Sequence, residues 1–121
     1  MQQFQNDMAE WGYEVLGREV MENQKVRAYR FLEEALELAQ ACGVSAEETA
    51  ELTAYTFGRP IGEVDQEVGG VMSTLTLLVE AYGLDLACCA WDELARISTP
   101  EKIAKIRSKI SSTVLPKEVT S

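Results

Sequence analysis

At 121 residues and 46% apolar content, the chain is long enough to bury a real core but leaves little room for a second domain. A formal net charge of −9 argues against a nucleic-acid or anionic-membrane surface, since both need basic patches to displace counterions. No stretch approaches the ~20 apolar residues that cross a bilayer, and the N-terminus Met1-Gln2-Gln3-Phe4-Gln5 lacks a basic and then apolar signal pattern, so a cytoplasmic protein is expected.

A first helix is expected over Phe4 to Leu16, where Phe4, Met8, Trp11, Tyr13, Val15 and Leu16 recur at broadly helical spacing before Gly17. Arg18 to Gln24 is a mostly polar connection. A second, longer helix runs to about Cys42, packing through Val26, Tyr29, Leu32, Leu36 and Leu38 to Ala39, and stops at Gly43. Within it, Glu33, Glu34 and Glu37 fall in an arc of about 100°. Like charges so close cost an isolated helix a few tenths of a kcal/mol per pair, and a bound cation reverses the sign. A hard divalent ion suits oxygen ligands, and the chain has no histidine to favour zinc. A solvated acidic helix face is the alternative reading.

Ser45-Ala46-Glu47-Glu48 is a capping box that opens a third helix at Ala46, ending near Phe57-Gly58-Arg59-Pro60. From Gly62 a fourth helix carries Val64, Val68, Val71, Leu75, Leu78 and Tyr82 as a core-facing stripe and stops at Gly83. Asp85 can cap a fifth helix from Leu86 to about Ile97. Thr99-Pro100-Glu101 opens a sixth, with threonine as N-cap and proline at the first helical position. Trp91, Tyr55 and Phe57 are expected in the core. Cys42, Cys88 and Cys89 are an odd set with no Cys-x-x-Cys pattern, expected as buried reduced thiols in a reducing compartment.

With no alternating segment anywhere, the class is all-α, most simply an antiparallel helical bundle over residues 1–112 with a flexible tail at 113–121. Two long helices and several short ones offer limited core, so a second copy is expected to complete the bundle. On the fourth helix Glu63 and Glu67 stand one turn apart beside the apolar stripe. If the second and fourth helices pack antiparallel, Glu67 comes opposite Glu34 and Glu37, the way bundles build metal sites. A di-iron site of the Glu-x-x-His type is excluded by the lack of histidine.

Glu33-Glu34-x-x-Glu37, then Gly62-Glu63-x-x-x-Glu67-Val68-Gly69-Gly70-Val71-Met72-x-x-Leu75 and Tyr82-Gly83-Leu84-Asp85-Leu86, resembles the MazG-like all-α nucleoside triphosphate pyrophosphatases. The likeness spans roughly Phe4 to Ile110 and is closest to short phage-type members, one branch of which is directed at guanine deoxynucleotides. It implies magnesium or manganese ions, two or three with substrate, that activate water to cleave the α-β phosphoanhydride into a monophosphate and pyrophosphate. By resemblance Glu34, Glu37 and Glu67 bind the principal ion, and Glu33 holds a second ion or orients the attacking water. A homodimer or homotetramer is implied as well.

The family's second motif, E-x-x-D, has Gly70 in place of its aspartate. Glu63 can substitute, Glu33 and water can complete the shell, or catalysis has been lost. The last option defines the competing reading, a non-catalytic helical dimerisation or nucleotide-binding module. For the leftover phosphate charge, the sixth helix offers Lys102, Lys105, Arg107 and Lys109, which equally suit a helix C-terminus. Arg30 can touch the ligand or pair with Glu33 or Glu34, and Asn6 and Trp11 are candidates for the base, Trp11 being also a natural core residue.

Overall fold

The computed structural model describes residues 1–110, which form seven helices and no strand: α1 (Gln2–Leu16), α2 (Arg18–Met21), α3 (Gln24–Ala41), α4 (Ala46–Phe57), α5 (Val64–Ala81), α6 (Leu86–Arg96) and α7 (Pro100–Lys109). The all-α class is therefore observed. The tail at 113–121 lies outside the described residues. Packing divides the chain into two compact units, one made of Met1–Phe31 with the chain from Leu86 onward, the other of Leu32–Asp85. The boundary falls inside α3, so its first turns belong to one unit and its acidic turns to the other.

Helix ends follow the local chemistry. Ser45 accepts from the Glu48 amide at 3.1 Å while the Glu48 carboxylate accepts from the Ser45 amide at 2.9 Å, completing the capping box of α4. Thr99 accepts from the Lys102 amide at 3.3 Å ahead of Pro100. Gly17, Gly43 and Gly83 all have positive φ (85°, 89° and 67°), which a side chain would resist. At the last two the chain closes alike: Val44 donates to Ala39 and Leu84 to Val79, each across five residues.

Two features differ from the sequence reading. The Arg18–Gln24 stretch contains the one-turn helix α2, because Met21 packs on α1: a β-carbon built on the buried Gly12 would meet its sulfur at 2.6 Å. The cap of α3 is Asn23, whose side-chain oxygen accepts from the Val26 amide at 3.1 Å.

In the first unit α1 packs against α2, α6 and α7. Val15 and Val26 are the buried apolar side chains of the core among the described residues. Phe4 meets Trp91 edge to face at 5.1 Å between centroids. Trp11 donates its indole N–H to the Ile97 carbonyl at 2.9 Å. The Arg107 guanidinium donates to the carbonyls of Val15 (3.2 Å) and Glu14 (3.1 Å), two of the four that the end of α1 leaves without helical partners.

Burial corrects several expectations. Cys88 and Cys89 are exposed and Cys42 is half-buried, so the thiols are not core residues. On α6 the packed stripe is Leu86, Ala90, Leu94 and Ile97, at spacings of four and three, and both cysteines fall on other flanks. Trp91 keeps part of its ring in water, Tyr55 is exposed under the Arg59 guanidinium, and Phe57 is 86% exposed. In Leu32–Asp85 no residue is fully shielded. The stripe on α5 is half-buried at Leu75 and Leu78 but open at Val64, Val68 and Val71, because no described element covers the first half of that helix.

Candidate functional site

All four carboxylates of the acidic motifs, Glu33, Glu34, Glu37 and Glu67, belong to the Leu32–Asp85 unit and are exposed. That unit holds eleven of the twenty acidic residues of the chain and one of its eleven basic ones, Arg59. The whole negative balance of the protein is therefore concentrated there.

Glu63 is the N-cap of α5 rather than part of the helix, with extended backbone (φ −95°, ψ 138°), and its carbonyl accepts from the Glu67 amide at 2.9 Å. Glu67 turns back over Gly62: a β-carbon there would lie 2.9 Å from its Oε1. The missing side chain at Gly62 makes room for a carboxylate near the amide end of α5, where the helix dipole favours negative charge. The two stand five positions apart, a spacing that marks neither of them in the sequence.

The opposite ends of α3 and α5 are joined. Tyr82 lies near the Cys42 side chain, whose hydrogen-bonding influence and charge, with partial burial, raise the tyrosine pKa above its ordinary 10.0. Both residues follow the last turns of their helices, so the two C-terminal ends meet. At 1.5 Å per residue from that contact, Glu37 and Glu34 lie about 8 and 12 Å back along α3, whereas Glu67 lies about 22 Å back along α5. Among the described residues no three histidine, cysteine, aspartate or glutamate side chains gather as a group able to hold a metal ion.

The five residues suggested for substrate contact, Asn6, Trp11, Arg30, Lys102 and Arg107, all belong to the other unit. Trp11 and Arg107 are engaged structurally, on the Ile97 carbonyl and on the end of α1. Asn6 is exposed and accepts from Gln2 at 3.0 Å. Arg30 is half-buried with its guanidinium 5.4 Å from the Tyr29 ring centroid. Lys102 is half-buried on the first turns of α7, where its charge helps hold the Glu93 carboxyl below the usual range, after the hydrogen bond from Arg96. Arg27, one turn before Arg30, belongs to no motif in the sequence. Burial, and then the neighbouring charge of Arg30, lower its pKa, and its Nε is buried without a hydrogen-bond partner.

Among the described residues no single helix is long and apolar enough to cross a membrane. Compared with protein-family models, curated proteins and solved structures, the chain matches none.

Proposed function

We propose that the chain is a magnesium- or manganese-dependent nucleoside triphosphate pyrophosphohydrolase of the MazG-like all-α type. It acts in the cytoplasm as a homodimer or homotetramer and releases pyrophosphate and a monophosphate from a nucleoside triphosphate, dGTP by the narrower likeness. The observation that carries the reading is the placing of both acidic motifs in one compact unit that has eleven acidic residues against Arg59 alone. A triphosphate is repelled by such a unit unless cations accompany it. The proposal requires α3 and the first turn of α5 to present Glu34, Glu37 and Glu67 to the same ions once substrate is bound.

The test is incubation of the purified chain with each nucleoside triphosphate and manganese or magnesium, with chromatographic resolution of the products. Monophosphate and pyrophosphate are expected; orthophosphate would refute the reaction type. The second reading, a non-catalytic helical module, is favoured by Gly70 and by the absence of a gathered ligand group among the described residues. Calorimetry with manganese separates the two. Neither heat of binding nor a thermal shift is expected of the module.

A further inference from the structure

We infer that Arg59 contacts the phosphates of the substrate and that the Tyr55 ring positions its guanidinium for that contact; the inference rests on the hydrolase reading above. Its starting point is where the arginine puts its charge. Leu32–Asp85 holds eleven acidic residues and Arg59 as its one basic residue, so an ion pair within the unit is the expected use of that charge. Among the described residues Arg59 is in none. Its guanidinium carbon stands instead 5.5 Å from the centroid of the Tyr55 ring, one turn back. That contact engages the charge and leaves the N–H donors of the fork to bond elsewhere.

The residue is also placed beside the second acidic motif. The Arg59 amide donates to the Thr56 carbonyl at 3.1 Å, which ties it to the end of α4, and Pro60 restricts the backbone that follows. Three positions on is Gly62, over which Glu67 turns its carboxylate. Three extended residues span at most about 11 Å, so Arg59 and the Glu67 carboxylate border one short loop. The basic residues suggested from the sequence, Arg30, Lys102 and Arg107, belong to the other unit, and Arg107 is engaged on the end of α1. A triphosphate that enters the acidic unit with divalent ions keeps negative charge on the oxygens those ions leave uncovered. An arginine fork matches such oxygens in pairs. A cation at this position also suits the dipole at the end of α4, a role that needs no ligand. The two roles move different quantities: a dipole partner acts on ligand-free stability, a phosphate contact on affinity.

The experiment is calorimetric titration of the full chain, in manganese, with α,β-methylene dGTP, which resists cleavage between those phosphates, and with inorganic tripolyphosphate. Arg59→Ala should weaken both by about 10-fold to 100-fold, while manganese alone binds as in the parent. Arg59→Lys keeps the charge without the fork and should lose less. Tyr55→Leu should weaken both by about 3-fold to 10-fold, Tyr55→Phe should match the parent, and Tyr55→Leu added to Arg59→Ala should have no further effect. Circular dichroism and ligand-free melting accompany each variant. Where Arg59→Ala fails to fold, the contrast between Tyr55→Leu and Tyr55→Phe decides. Equal affinity in the parent and a folded Arg59→Ala, with or without a lower ligand-free Tm, overturns the inference, and pyrophosphate release by the parent then leaves the hydrolase reading standing. A parent that binds neither probe and releases no pyrophosphate overturns both.

Discussion

Replacing Arg107 by alanine removes two hydrogen bonds from α7 to the last turn of α1, and the structure sets the size of the loss. The bond to the Val15 carbonyl is partly shielded from water and is worth about 1.5 kcal/mol, while the one to Glu14 is exposed and worth about 0.5 kcal/mol. The sum of about 2 kcal/mol, set against an unfolding entropy of about 0.25 kcal/mol per kelvin for a chain of this size, lowers Tm by about 8 °C. Lysine supplies the charge but not the planar fork, so Arg107→Lys should lose about half as much. Melting by circular dichroism, at one protein concentration and about 0.1 M salt, reads both values. If Arg107 served only to hold phosphate, the alanine variant would keep its ligand-free Tm and lose the shift caused by nucleotide. A ligand-free Tm within about 1 °C of the parent refutes the clamp.

Glu37→Gln should abolish manganese binding in calorimetry without changing helicity, since Glu37 lies on an exposed face of α3; pyrophosphate release that survives the change would place the site elsewhere. Trp11→Phe leaves the Ile97 carbonyl without its donor and should cost about 1–2 kcal/mol, seen as a lower urea midpoint with unchanged slope. Gly12→Ala should be nearly neutral, because Met21 can give at its flexible end and alanine gains helix propensity, whereas Gly12→Val should destabilise by about 1–3 kcal/mol in the same assay. The Ser45 hydrogen bonds hold the Glu48 carboxyl below its ordinary 4.5, so its contribution is complete above that pH and is lost as the pH falls through the lower folded value. Glu48→Gln should therefore flatten the acid limb of the stability profile, and an unchanged limb would show that the cap does not carry it.

The helices and their ends could be read from the chain because capping and stop chemistry act over four or five residues: Ser45 with Glu48, Thr99 with Pro100, and the glycines at positive φ need no distant partner. The same is true of the acidic face of α3, which follows from helical period alone. What the period left open is which neighbour each face meets. The stripe on α5 was legible as an apolar seam, but its pattern does not say whether the cover comes from the same chain, and the structure leaves its first half open. The bonds of Trp11 and Arg107 to carbonyls 86 and 92 residues away in the sequence are likewise supplied by the fold alone. Whether Glu67 stands opposite Glu34 depends on which helix ends meet. Nearness such as that of Tyr82 to Cys42, forty positions apart, leaves no periodic trace in the sequence.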